Sequence, residues 1–178
     1  MTIVAGYLDP AGKVWMAADT LSSADAFVFP ERTRKLFRTR DWLIGMSGSD
    51  RHHEFVPRAA GFENVEEIRD RLMNHARTIG SDGVQEKGEP AGYHVSLLAA
   101  RAGELYAISG DGCIWRPAWG FAAVGSGQDY AYGAAHALLC GRDPSLFVTG
   151  EDVVRKAVEA ACAFRGDCGG EIDIETVG

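Results

Sequence analysis

Residues Thr2–Asp19 read Thr-Ile-Val-Ala-Gly-Tyr-Leu-Asp-Pro-Ala-Gly-Lys-Val-Trp-Met-Ala-Ala-Asp. Both ends of the stretch are rich in residues that suit a pleated, half-buried strand. Asp9-Pro10-Ala11-Gly12 between them has turn chemistry, because Pro pre-sets φ and Gly tolerates the left-handed region. The chain therefore starts with a predicted antiparallel hairpin, Thr2–Asp9 paired with Lys13–Ala18. A second strand pair, Lys35–Thr39 and Trp42–Ser47, flanks Thr39-Arg40-Asp41.

Outward from this hairpin unit, the periodicity changes. Val65, Ile68, Leu72, Ala76 and Ile79 recur at helical spacing behind Asn64, with Glu67 placed to complete a capping-box-like start. Ser81–Gly92 has no apolar period and reads as an exposed loop. Strands resume at Tyr93–Ala100, Glu104–Ser109, Gly112–Trp115 and Phe121–Val124. One helix is predicted from near Asp129 to Leu139, and another from near Glu151, ended by Gly166, Gly169 and Gly170; Glu171–Val177 closes the chain as a strand. Runs of strands alternating with runs of helices predict an α+β fold of antiparallel sheets covered by helices, not an alternating βαβ sheet. No repeat or linker divides the sequence, so residues 1–178 read as one domain.

The 178 residues carry 18 Lys+Arg against 25 Asp+Glu, a net charge of −7, without a basic cluster. That balance disfavours nucleic acid and anionic membranes as partners. The longest uncharged stretches, Pro117–Gln128 and Tyr130–Gly141, fall short of the ~20 residues a spanning helix needs. The start lacks a basic segment, apolar block and small-residue cleavage site, and Cys113, Cys140, Cys162 and Cys168 form no C-x-x-C pair. Unpaired thiols and a cytoplasmic location are expected, with no metal and no cofactor. His52-His53 reads as solvated surface, while His94 and His136, within apolar runs, read as core histidines.

Several chemical motifs fail on inspection. Gly45-Met46-Ser47-Gly48-Ser49 has Ser where a nucleophile elbow needs Gly, and neither Gly125-Ser126-Gly127 nor Gly110-Asp111-Gly112 has the Lys-Ser/Thr end of a phosphate loop. No spacing favours a Ser-His-Asp triad. The informative feature is positional. Thr2 follows Met1, and its small side chain favours removal of Met, which would leave a hydroxyl and a free α-amine on one residue. An α-amine of pKa ~7.7–8.0 can serve as the base for its own hydroxyl. A Lys ammonium beside it would disfavour a second positive charge, and a carboxylate would keep that Lys charged and aimed. Asp19 and Lys35 are the candidates; taken singly, Asp19 also reads as a turn residue and Lys35 as a solvated member of a basic run.

Together with Arg34-Lys-Leu-Phe37, Trp42-Leu-Ile-Gly-Met-Ser-Gly48, Val124-Gly-Ser-Gly-Gln-Asp-Tyr-Ala-Tyr-Gly-Ala134 and Cys168-Gly-Gly-Glu-Ile-Asp173, these segments resemble the proteasome β-subunit/HslV branch of the N-terminal nucleophile hydrolases. The sixteen-residue step from Asp19 to Lys35 matches as well. The resemblance implies a four-layer αββα sandwich and a threonine peptidase acting through an acyl-enzyme on Thr2. It implies Asp19 as the buried carboxylate, Lys35 as the lysine that sets the amine, Ser126 as the hydroxyl at the amine end and Gly48 as the oxyanion N–H. Met46 matches the floor of the specificity pocket, with Ser47, Thr20 and Thr33 around it. The family's late Asp falls at Arg165, and Asp167 nearby is the expected substitute. Exposure of the amine rests on removal of Met1. By the same resemblance, a peptide or unfolded-protein substrate, a homo-oligomeric ring and an ATP-dependent unfoldase are expected. The rival readings are a small-molecule amidase of the same fold and an inactive structural ring subunit.

Overall fold

The computed structural model describes residues 2–24, 27–29, 32–48, 61–80, 95–141 and 148–178. The N-terminal hairpin forms as expected: β1 (Ile3–Leu8) runs antiparallel to β2 (Val14–Asp19), with Val4 opposite Ala18. Its turn is closed by the Asp9 carboxylate, which accepts from the Ala11 and Lys13 N–H groups at 2.9 and 3.0 Å. A short hairpin, β3 (Ser22–Ala24) and β4 (Phe27–Phe29), follows, which the sequence reading did not anticipate. The remaining strands are β5 (Leu36–Arg38), β6 (Leu43–Gly48), β7 (Val95–Arg101), β8 (Glu104–Ile108), β9 (Ile114–Trp115), β10 (Phe121–Gly125) and β11 (Ile172–Val177). The described helices are α1 (Val65–Gly80), α2 (Gln128–Cys140) and α3 (Gly150–Phe164).

Two antiparallel sheets result, ordered β10-β1-β2-β11 and β5-β6-β7-β8-β9. The two-residue alternation of strand side chains decides what lies between them. Val4, Met16, Ala18, Leu43, Leu98, Ala107 and Val124 fill the space between the sheets. The intervening positions point outward. Ile3, Ala5, Ala17 and Ala123 pack under α2 and α3, whereas Ile44, Met46, Leu97 and Ala99 pack under α1. This is the αββα sandwich, with α1 on one flank and the α2–α3 pair on the other.

The helix ends follow their sequence signals with one refinement. Asn64 Oδ1 accepts from the Glu67 N–H at 2.9 Å, but the Glu67 carboxylate reaches back to the Glu63 N–H rather than to Asn64. Helix α3 begins at Gly150, within a residue of the expected start, behind a complete capping box of Thr149 with Asp152. All four cysteines are free. No described helix is long and apolar enough to cross a membrane.

Candidate active site

The site is assembled where the start of β1, the end of β2 and the entry to β5 meet the turn after α3. Thr2 is buried and leads into β1, whose first residue pairs with Gly125 at the end of β10. A glycine is needed at 125: φ is +113°, and a Cβ there would lie 2.0 Å from the Thr2 carbonyl oxygen and 3.0 Å from Ser47 Oγ. The Thr2 carbonyl and the Ser47 hydroxyl thus both lie close against the face of Gly125 where a side chain would stand.

Asp19 ends β2 with no exposure to solvent. Its Oδ1 accepts from the Ile3 N–H at 2.9 Å and from the Lys35 ammonium at 2.7 Å, and its Oδ2 accepts from the Gly169 N–H at 3.0 Å. The Lys35 Nζ also donates to the Leu21 carbonyl at 2.7 Å and is 1% exposed. A buried ammonium requires a paired charge and further hydrogen bonds, and both are present. One carboxylate oxygen therefore holds a cation and the backbone of the residue that follows Thr2.

Local alternation explains why Lys35 is inside. Arg32 and Arg34 face outward, where Arg32 pairs with Glu171 at 2.9 Å and with Asp173, and Arg34 pairs with Glu175 at 3.3 Å. Thr33 and Lys35 point the other way, and the Lys35 carbonyl accepts from the Met46 N–H at 2.9 Å. The basic run is thereby divided: its arginines clamp the segment to β11, and its lysine enters the site.

Ser126 follows β10 in the turn into α2, with Oγ 3.5 Å from the Thr2 carbonyl oxygen and 3.6 Å from Cys168 Sγ. Asp167 lies in the turn after α3. Hydrogen bonds from Arg165 and, more weakly, Ser126 hold its carboxyl below the usual carboxylate range. Asp167 is thus placed near Ser126, with Arg165 beside it in the same turn. Burial pushes the Cys168 thiol up, and pushes Cys162 up to about 12, so neither is a ready nucleophile.

The residues expected around the substrate fall into two groups. Gly48, at the end of β6, has φ +135°, a conformation that other residues rarely adopt, and Ser47 precedes it. Met46 is 1% exposed and packs in the layer beneath α1 with Trp42, Ile44 and Ile68. Thr20 is buried, and its hydroxyl donates to the Glu171 carbonyl at 3.1 Å while accepting from the Glu171 N–H at 2.9 Å. Its hydroxyl is thus engaged in fastening β2 to β11. Thr33 is half-buried and bonds through its N–H to the Thr20 carbonyl at 3.0 Å.

Sequence reasoning missed the Gly169 N–H, the Leu21 carbonyl and the Arg165–Asp167 pair, although Cys168-Gly-Gly had marked the right segment. The reading of His136 is corrected: it is exposed on α2, with its ring 5.5 Å from that of Trp119. His52, His53, His94 and the loop Ser81–Gly92 lie outside the described residues. No group of metal-ligating side chains occurs among the described residues.

No protein-family model matches this chain. The ATP-dependent protease subunit HslV of Petrotoga mobilis is 36% identical over 74 residues, a match that spans 40% of this chain and 40% of that protein. Among solved structures, Thiobacillus denitrificans BPH superposes with a TM-score of 0.78 at 21% identity, covering 99% of this chain and 97% of that one. The same protein in complex with epoxomicin gives 0.76 at 22%, covering 99% and 98%. Eukaryotic HslV from Trypanosoma brucei gives 0.70 at 24%, covering 99% of both chains. The chain is therefore similar in sequence to HslV over 40% of its length, and it shares the fold of the HslV and BPH structures.

Proposed function

We propose that this protein is a threonine peptidase whose nucleophile is the Thr2 hydroxyl, activated by the α-amine that removal of Met1 exposes. The observation that carries the reading is the shared Asp19 oxygen, which fixes the Lys35 ammonium beside the backbone of the residue next to Thr2. Two of the three Lys35 donors are used by Asp19 and Leu21 among the described residues. The reading assigns the third to Thr2 Oγ, where it stabilises the forming alkoxide and keeps the neighbouring amine neutral.

In the reaction, Thr2 Oγ adds to the substrate carbonyl as its proton passes to the Thr2 amine. The Gly48 N–H donates to the oxyanion, a contact of the kind worth about 3–4 kcal/mol in other acyl transfers. Collapse expels the leaving amine, which takes the proton from the Thr2 amine. Water, with that amine again as base, then hydrolyses the ester and frees Thr2. Ser126 and Asp167 hold the amine end of the site, and Met46 underlies the pocket for the residue before the cut.

Resemblance to an ATP-dependent protease subunit supports a further reading: a homo-oligomeric, cytoplasmic ring taking peptides or unfolded protein, served by an ATP-driven unfoldase. The exposed Trp119 and Phe164, at 62% and 71%, supply apolar surface suited to contact between subunits.

A fluorogenic peptide panel tests the activity. Wild type and Thr2→Ser are expected to cleave peptides, and Thr2→Ala is not. Turnover of small amides with no peptide cleaved would identify an amidase, and no turnover at all would indicate a structural subunit. Light scattering on the same preparation reads the ring, which a monomer would contradict.

A further inference from the structure

The turn after α3 carries more of the site than Asp167 alone. Arg165 caps α3, with its N–H on the Ala161 carbonyl at 2.9 Å and its own carbonyl accepting from the Cys168 N–H at 3.3 Å. Its side chain returns over the same turn: Nε donates to Asp167 Oδ1 at 2.9 Å and an Nη to Oδ2 at 2.7 Å. Two parallel bonds from a planar guanidinium fix a carboxylate in orientation as well as in position. The next residues then reach both halves of the site, since Cys168 Sγ lies 3.6 Å from Ser126 Oγ and the Gly169 N–H bonds Asp19 Oδ2.

We propose that Arg165 is a positioning residue of this site, holding the Asp167 carboxylate where it accepts the Ser126 hydroxyl hydrogen bond. The inference rests on the reading of Thr2 as nucleophile. Its logic is one of rigidity. The Arg165 backbone is anchored on both sides of its side chain, so the fork hangs from a fixed helix end. Without it, Asp167 would be a short acid on a four-residue turn, free to rotate toward solvent. Ser126 would lose that acceptor, and its single hydroxyl proton would turn to the Thr2 carbonyl or Cys168 Sγ instead.

Several of the described residues face Asp167. Arg165 and Cys168 share its turn, Ser126 enters from the β10–α2 turn, and Tyr130 of α2 lies near Arg165; Asp19 and Lys35 stand behind Cys168. Burial pushes the Cys168 thiol up, so it is neutral near pH 7 and the guanidinium is the charge that keeps Asp167 ionised.

The test is the rate at which epoxomicin modifies Thr2, measured from pH 3 to 9 in wild type, Arg165→Gln, Arg165→Lys, Asp167→Asn and Arg165→Gln/Asp167→Asn, each checked by thermal melt. Arg165→Gln is expected to react about ten- to a hundredfold more slowly, the scale of a small misplacement. Its acid limb should move to higher pH, because Asp167 without the fork titrates nearer the ordinary range. Arg165→Lys should restore the limb and part of the rate, since an ammonium supplies charge but no fork; it also carries the comparison should Arg165→Gln not fold. In the Asp167→Asn background Arg165→Gln should change little. Equal rates and limbs in wild type and Arg165→Gln, or an equal loss in both backgrounds, would overturn the inference alone. An unreactive wild type would overturn it together with the reading of Thr2.

Discussion

Replacing Asp19 by Asn keeps the side chain's shape and removes its charge. Oδ1 holds the Ile3 N–H and the Lys35 ammonium, and Oδ2 holds the Gly169 N–H, so donors face both oxygens. Whichever way the new amide is turned, its NH2 meets a donor. The Lys35 ammonium, 1% exposed, keeps only the uncharged Leu21 carbonyl among the partners described here. Breaking a buried ion pair from one side costs about 3–5 kcal/mol. At about 2–4 °C per kcal/mol for a domain of this size, the melting temperature should fall by about 6–20 °C. Thermal unfolding followed by near-UV circular dichroism, with a urea titration at pH 7, reads the loss. The sign of a second change is more telling. Adding Lys35→Met removes the stranded ammonium, so Asp19→Asn/Lys35→Met should be more stable than Asp19→Asn. A fall below about 2 °C for the single variant, or a double variant that loses the full cost of both changes, would refute the electrostatic reasoning.

Gly125→Ala places a Cβ 2.0 Å from the Thr2 carbonyl at φ +113°, so Thr2 must shift; labelling of Thr2 should be lost while circular dichroism still reports a folded sheet. Gly45→Ala puts a Cβ 2.5 Å from Val4 Cγ1 and 2.8 Å from Met16 Sδ between the sheets, and denaturant titration should show a loss of about 1–3 kcal/mol. Thr149→Ala removes the α3 cap and should cost about 1 kcal/mol at pH 7. The Thr149 hydroxyl holds the Asp152 carboxyl below its ordinary range. Stability from a depressed carboxyl is present above its unfolded pKa and fades as pH falls through the folded one, so the gap between Thr149→Ala and wild type should narrow below about pH 4 in pH-dependent melts. An aromatic disulfide reagent should titrate the exposed Cys113 and Cys140 in the native state, and Cys162 and Cys168 only after denaturation.

Much of the sandwich was legible because strand alternation and turn chemistry are local signals. Val4 and Ala5, or Leu97 and Leu98, point to different layers simply by being adjacent. The Asp9–Gly12 turn, the Asn64 cap and the closing strand were read for the same reason. The β3–β4 hairpin was missed because Ser22–Ala24 and Phe27–Phe29 are three residues each, too short to show a period. The misreading of His136 has a related cause. Past its first turn, helix α2 carries apolar residues, many of them Ala, on every side, so no polar stripe separates the face of Ala131 and Ala135 from the face of His136. Within the site, Thr2, Asp19 and Lys35 were visible as residue types at a spacing. What sequence could not give was the third dimension: the hydroxyl of Thr20 turned onto Glu171, and Arg165 folded back upon Asp167, two residues away. The first depends on how the chain after α3 lies against β2, a tertiary contact with no local signature, and the second on the conformation of the turn itself, which residue types alone do not fix.

Peptide mapping of epoxomicin-treated protein by mass spectrometry bears most directly on the nucleophile. The N-terminal peptide is expected to begin at Thr2 and to carry the inhibitor's mass on that residue, with no adduct in Thr2→Ala. An N-terminal peptide that retains Met1 throughout, or a treated protein with Thr2 unmodified, would contradict the assignment.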